Sequence, residues 1–404
     1  MSEVRMREAE FVGRQQRAAR AAQERGLAGL LVWSRGTTMV EWYGDVYYLT
    51  NFYSPFPHLA DSPHWTGRGH CALILPVGEH PVLVVDIPDY PRDIVYVSDV
   101  RVTNHVPQTV AQVLREKGLD REPLGLAGRE TLLLSSHQLI ETALGRPLRF
   151  QPADEIVERL RWIKSESEIE LLRRAASVGV DWMEAALNAV EVGKTEGDIV
   201  GSGLKVLASR GGLAYDMGVA AGPHSSQHWG RIGIPDWDAK RQLVQGDLVH
   251  IDVCGPVDGY FTDFCRSSVV GRRPTSEQRE VLDGSVELIK TVVAAIRPGV
   301  TADSLYERGQ SWLRDNGFIE KPPAAQGPPT IPDFPAIGHG LGIEVESPWI
   351  ALGNQLRLEP NMVLTIEMMV SKPGIGSAGF EHEVLVTADG HEILDRDCSD
   401  KWWE

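Results

Sequence analysis

At 404 residues, 42% apolar and 24% charged, the chain exceeds the size at which one hydrophobic core stops growing, so two domains are expected. The formal net charge of −16, from 40 basic against 56 acidic residues, argues against nucleic acid or an anionic membrane as the main partner. The four cysteines, Cys71, Cys254, Cys265 and Cys398, are scattered without C-x-x-C spacing, which argues against a disulfide framework or a thiolate zinc site.

The first 25 residues read as a charged helix that lacks the apolar core of a signal peptide. No later apolar run reaches bilayer-spanning length, so a cytoplasmic protein without a membrane partner is expected. The runs "GLAGLLVW", "DVYYLTNF", "HCALILPV" and "PVLVVDI" read as strands, "TVAQVLREKG" as a helix and "EPLGLAG" as another strand, the alternation of an α/β domain. A boundary is written near residue 160. Ser165 with Glu168 forms a capping box, and Ile169, Leu172, Ala176, Val180 and Met183 recur at helical spacing. The expected domains are therefore 1–160 and 161–404. The second would hold a helix at "GDIVGSGLKVLASRG", a strand hairpin, a helix at "SEQREVLDGSVELIKTVVAAI" and a final group of strands. Two phosphate-loop look-alikes fail: "GKT" at Gly193 lacks the earlier glycine of a P-loop, and "GHGLG" follows no strong strand.

The hairpin is "HIDVCGPVDGYFTDF", His250 to Phe264. Aspartate is depleted from strands, yet Asp252 and Asp263 both stand here. A turn at Pro256 to Gly259 would set Asp252 directly across from Asp263. A tight Asp258-Gly259 turn would set Asp263 across from Cys254 instead. Either register puts two like charges on one face, which a cation would relieve. Three further candidates follow. "AIGHGLG" places His339 among glycines that permit close approach, "NMVLTIEMMV" sets Glu367 in an apolar strand, and "GFEHEVLVT" does the same with Glu381. Four carboxylates and one imidazole suit a pair of hard or borderline divalent ions, and carboxylates can bridge such a pair.

The order Asp, eleven residues, Asp, then "GHG", then Glu in an apolar strand and Glu before "VLVT" resembles the pita-bread metallohydrolase family, which includes aminopeptidase P, prolidase, methionine aminopeptidase and creatinase. "DVYYLTNF" looks like its N-terminal domain and "RWIKSESEIELLRRAA" like its linker. The resemblance implies an α/β N-terminal creatinase-like domain followed by an α+β pita-bread catalytic domain. It implies that Asp252 binds one metal, that Asp263 and Glu381 bridge two (Mn, Co, Zn or Fe), and that His339 and Glu367 complete the set. Glu367 would double as proton shuttle, and His228 in "GPHSSQHWG" would steady the substrate or tetrahedral intermediate; His224 is its neighbour without that role. A homodimer is implied as well, with the aromatic stretch Tyr43 to Trp65, including Tyr47, Tyr48, Phe52, Phe56 and His58, bordering the partner's active site.

Three departures from the family bear on substrate. Glu346 stands where a second catalytic histidine is expected, Gly379 replaces an arginine two residues before the last glutamate, and His228 lies 24 residues before Asp252, with an extra segment that brings in Trp237. The leading expectation is a metal-dependent hydrolase of amide-type C–N bonds, of the Xaa-Pro dipeptidase or aminopeptidase kind, with an altered substrate pocket. The alternatives are a non-peptidase acting on a small metabolite, by creatinase-like C–N hydrolysis or elimination, and an inactive binding module. With Glu346 counted as a catalytic residue carrying free negative charge, a cationic or amidine-like substrate is favoured and Gly-Pro-type dipeptides are expected to turn over weakly.

Overall fold

The computed structural model describes residues 6–36, 44–54, 56–225, 235, 237–318, 335–372 and 374–404. His228 and Tyr43 lie outside these residues. The chain divides into two compact units, Met1–Arg161 and Trp162–Glu404. No helix among the described residues is long and apolar enough to cross a membrane.

The first unit holds α1 (Glu8–Glu24), β1 (Gly29–Arg35), α2 (Gly44–Thr50), β2 (His70–Pro76), β3 (Val82–Val85), β4 (Asp99–Val102), α3 (Val106–Glu116), β5 (Leu124–Ala127), α4 (Leu134–Leu144) and β6 (Phe150–Pro152). The strands form one mixed sheet in the order β4-β3-β2-β1-β5-β6. Alternate residues of the central strands, Leu31 and Trp33 of β1 with Ala72 and Ile74 of β2, pack on Val110 and Leu114 of α3 and Ile140 of α4, the burial that period-2 and period-3.6 patterns specify. The stretch "DVYYLTNF" corrects the sequence expectation of a strand: it forms α2. Two side chains of α1 receive the carbonyls at its end, Arg14 Nη1 donating to Tyr48 O at 2.9 Å and Gln15 Nε2 to Leu49 O at 2.8 Å. That capping satisfies backbone groups a strand would have paired laterally, so tertiary contact overrides β propensity. Tyr48 and Phe52 are core residues, 2% and 0% exposed, and have no surface to present to a partner's site.

After α5 (Asp154–Trp162), the second unit continues with α6 (Glu166–Asn188), α7 (Glu196–Ser209), β7 (Val219–Ala221), β8 (Leu248–Val257), β9 (Tyr260–Val269), α8 (Ser276–Val293), α9 (Ala302–Asn316), β10 (Gly338–Leu341), β11 (Val345–Glu346), β12 (Val363–Lys372), β13 (Gly376–Val386) and β14 (His391–Ile393). Capping boxes open α6, α7 and α8, through Ser165 with Glu168, Thr195 with Asp198 and Thr275 with Gln278. Each supplies acceptors to N–H groups that the helix leaves unpaired, about 1 kcal/mol apiece.

Two sheets result, β7-β8-β9 and β11-β10-β12-β13-β14, both antiparallel. Val249, Ile251 and Val253 of β8 pack into a cluster with α6 and α7, which turns His250, Asp252 and Cys254 to the opposite face. Ile366 and Met368 of β12 and Phe380 and Val384 of β13 pack with α8, which turns Glu367, Glu381 and Glu383 to the opposite face. The hairpin takes the tight turn. Asp258 (φ 52°) and Gly259 (φ 84°) occupy the left-handed region that a two-residue type I′ loop demands, and the register pairs Cys254 with Asp263 and Asp252 with Cys265. All four cysteines are free and buried.

Candidate metal centre

The polar faces of the two sheets bring together the five side chains singled out above. Asp263, His339 and Glu381 offer ligand atoms within 4.8 Å of one another, and so do Asp252, Glu367 and Glu381. Glu381 belongs to both groups. It stands directly across from Glu367 in the β12–β13 ladder, an arrangement that is repulsive unless something positive lies between. Both Glu381 carboxylate oxygens are buried with no hydrogen-bond partner among the described residues.

His339 shows what the site is built to receive. Its Nδ1 lies 2.9 Å from the Gly340 carbonyl, which can only accept, so Nδ1 carries the proton and Nε2 keeps its lone pair. That nitrogen faces Asp263 Oδ2 at 3.5 Å and Glu367 Oε1 at 3.6 Å, with the Thr365 hydroxyl at 3.1 Å. Burial pushes the imidazole down to about 4, so an imidazolium is not what balances the carboxylates. Burial pushes Asp252 up to about 6, and burial together with Asp252 pushes Glu367 up to about 8. Asp263 and Glu381 are driven far above the usual carboxylate range by burial and then by their acidic neighbours. Without cations burial and mutual repulsion favour the protonated forms of these carboxyls; divalent ions would replace the protons and supply the missing positive charge. The donor set fits such ions: oxygen ligands with one neutral imidazole whose other nitrogen is fixed by a carbonyl.

A pH dependence follows for metal-free protein. Each raised carboxyl binds its proton more tightly folded than unfolded, so its contribution is full below the ordinary value near 4 and is lost as pH climbs through its folded value. His339, lowered by burial, acts oppositely between about 6.5 and 4. The window from 6.5 to 8 therefore isolates the carboxyls. Chelated protein is expected to lose melting temperature steadily across that window and, with saturating divalent cation, to show a flat profile. A flat profile for the chelated protein would contradict the arrangement of buried acids.

Glu346 sits on β11, and its Oε1 is 2.6 Å from Lys164 Nζ, both side chains being buried. The sequence reading gave Glu346 a free negative charge for a substrate to meet. In the structure it has a cationic partner, and the charge presented is that of a pair. Gly379 is also explained locally: a Cβ there would overlap the His250 imidazole, so this position cannot carry an arginine while His250 keeps its place. Lys164, His250, Glu383 and Arg266 were not flagged by sequence reasoning. The only available signal was Glu383, the second glutamate in "EHEVLV".

An acid-rich, imidazole-containing centre shared between two antiparallel sheets, each backed by helices, is compatible with the binding of divalent metal. Family models match at both ends: the Creatinase/Prolidase N-terminal domain over residues 14–163 and metallopeptidase family M24 over residues 170–388. The chain belongs to metallopeptidase family M24, whose members use divalent metal. Among relatives, it is 28% identical over 248 residues to the Xaa-Pro dipeptidase of Pyrococcus furiosus, covering 61% of this chain and 66% of that one. It is 31% identical over 244 residues to the probable dipeptidase PepE of Mycobacterium tuberculosis, covering 59% and 60%. The aligned regions thus span two thirds or less of these relatives' lengths. Among solved structures, the Xaa-Pro dipeptidase from Bacillus anthracis superposes with a TM-score of 0.76 at 23% identity, covering 96% of this chain and 98% of that one. The dipeptidase PepE from Mycobacterium ulcerans does so with a TM-score of 0.74 at 24% identity, covering 97% of each. These two likenesses show the fold.

Proposed function

We infer that this protein is a dinuclear metal-dependent dipeptidase of the Xaa-Pro class, hydrolysing the amide C–N bond of a small peptide. The observation that carries the reading is Glu381: one buried carboxylate common to two ligand groups is what a bridged pair of cations requires. Its support from outside the site is the likeness to the Xaa-Pro dipeptidase of Pyrococcus furiosus. The identity of the ions follows availability as much as ligand chemistry in such oxygen-rich sites.

When bound, the cations supply Lewis acidity toward the scissile carbonyl and the attacking water. The chain's own groups do the rest. Glu367, buried in the site beside Asp252 and Glu381, is the carboxyl that the family resemblance makes the proton shuttle, taking a proton from the attacking water and returning it to the leaving nitrogen. His339 is held by Gly340 and Thr365 so that Nε2 stays turned into the site. The Lys164–Glu346 pair keeps a buried carboxylate next to β10 from adding uncompensated negative charge, which would oppose an oxyanion. His228 keeps the role that the family resemblance implies, steadying the intermediate.

His250 filling the space beside Gly379 favours a second reading, in which the ligand carries no free carboxylate at that position and is a small metabolite with a scissile C–N bond. Metal-loaded protein assayed on Xaa-Pro dipeptides, non-proline dipeptides and small amidines separates the two. The first reading expects Xaa-Pro turnover with kcat/KM at or above about 10⁴ M⁻¹s⁻¹. Amidine turnover without dipeptide turnover would replace it with the second.

A further inference from the structure

Asp252 and Asp263 come from the three-stranded sheet, and His339, Glu367 and Glu381 from the five-stranded one. No ladder joins the two sheets between β9 and β13, so something else sets the spacing of Asp263 from Glu381. β9 is an edge strand, and its outward backbone groups need partners. They find them mainly in side chains. Phe261 N–H donates to the Gly342 carbonyl at 2.8 Å, Asp263 N–H donates to Glu383 Oε1 at 2.8 Å, and the Cys265 carbonyl accepts from Arg266 Nη1 at 2.9 Å.

The same two side chains reach both sheets. The Arg266 Nη1 that holds Cys265 also donates to the Glu381 carbonyl at 2.6 Å. The Thr262 hydroxyl adds a second donor to Glu383 Oε1 at 2.5 Å. Behind them Asp395, itself fully buried, accepts from Arg266 Nη2 at 2.5 Å, from His382 Nδ1 at 2.9 Å and from Glu383 N–H at 3.1 Å. One step along, Ser267 Oγ and Gly379 exchange two 2.9 Å bonds, donor and acceptor in each direction. Arg266, Glu383 and Asp395 are each 0% exposed. Buried charges are costly to desolvate unless paired; Arg266 and Asp395 pair with each other, and Glu383 Oε1 takes two donors, while its Oε2 has no hydrogen-bond partner among the described residues.

We propose that Glu383, with Arg266 and Asp395 behind it, is a positioning residue that locks Asp263 to Glu381 across the sheet boundary and so sets the geometry of the cation site formed by Asp263, His339 and Glu381. The inference rests on the metal-centre reading above. Glu383 touches no substrate; it acts through the backbone of Asp263.

The test is a Mn²⁺ titration of chelated protein by calorimetry, with the melting temperature of the metal-free form measured in parallel. Glu383→Ala removes the acceptor that holds Asp263 N–H, and outer partners of metal ligands are worth about 10–100-fold in metal affinity. The expected result is a loss of at least about tenfold at one of two sites, with the other changed by less than about threefold. Glu383→Gln retains an oxygen for Thr262 and Asp263 and should recover most of the loss. A merely structural role would weaken both sites in step with stability and would not distinguish alanine from glutamine. Equal weakening of both sites, or wild-type binding by Glu383→Ala, overturns the proposal. Should Glu383→Ala not fold, Thr262→Val takes its place with the same expectation at smaller amplitude, and unchanged binding there is likewise fatal. Wild-type protein that binds no Mn²⁺ overturns the metal-centre reading itself, a separate outcome.

Discussion

Replacing Asp263 by asparagine should abolish turnover by more than about 10³-fold, the scale of losing a group that acts directly on the reacting atoms, and should release at least one divalent ion. The amide keeps the shape of the carboxylate but loses its charge, and it places an N–H₂ donor within reach of His339 Nε2, which lies 3.5 Å from Asp263 Oδ2. Stability should move in the opposite direction in metal-free protein. Asp263 is buried among Asp252, Glu367 and Glu383, all of which push its carboxyl upward, so removing one acid relieves repulsion that no cation offsets. Chelated Asp263→Asn is therefore expected to melt above chelated wild type at pH 8. Wild type should gain about 3–4 kcal/mol when cation is raised to 100–1,000 times its dissociation constant, and the variant little or none. His228→Ala is the contrast: metal content unchanged, kcat lower by about 10²–10⁴-fold. Elemental analysis and calorimetry of the two variants check both arms; an Asp263→Asn protein with two ions per chain and normal turnover would sink the dinuclear reading.

Lys164→Met should destabilise the second unit by about 3–5 kcal/mol, because it strips the cation from a buried glutamate without removing the glutamate. For a unit of this size that corresponds to a fall of about 6–20 °C in its melting transition. Lys164 Nζ lies 2.6 Å from Glu346 Oε1, with side chains 2% and 6% exposed, so solvent does little to screen the pair. Glu346→Gln alone leaves the ammonium buried and should also cost stability. The double variant Lys164→Met/Glu346→Gln should recover most of both losses, since a neutral pair of similar volume replaces a charged one. Thermal unfolding of the four proteins gives the coupling directly. Strictly additive effects, or single variants within about 0.5 kcal/mol of wild type, would show that the contact contributes nothing.

Much of the fold is legible because its signals are local. The boxes at Ser165 and Glu168 and the stripe from Ile169 to Met183 specify a capped, one-sided helix, and α6 has that cap and buries Ile169, Leu172, Ala176, Val180 and Met183. Asp258-Gly259 carries the chemistry of a two-residue turn, yet the sequence also permitted a turn from Pro256. The structure takes the tight turn, with Asp258 and Gly259 both in the left-handed region and Cys254 across from Asp263. "DVYYLTNF" misleads because its β-branched and aromatic residues favour a strand, whereas Arg14 and Gln15, some 34 residues earlier, receive the carbonyls at its end as a helix.

The candidate site divides the same way. Acids in apolar strands and a glycine-flanked histidine can be picked out one at a time, since each violates a local preference that a soluble fold otherwise obeys. Chain order alone does not say which of them meet. Glu381 joining two groups and Glu383 holding Asp263 across 120 residues are consequences of two sheets closing on each other, and Lys164 reaches Glu346 across 182 residues from the segment between α5 and α6. The charge of Glu346 shows why this matters: its residue type is written in the sequence, but whether a substrate meets an anion or an ion pair depends on a lysine whose position leaves no local trace. Residue type and periodicity act over a few positions and are readable there; partners brought together by burial are chosen by the whole packed chain.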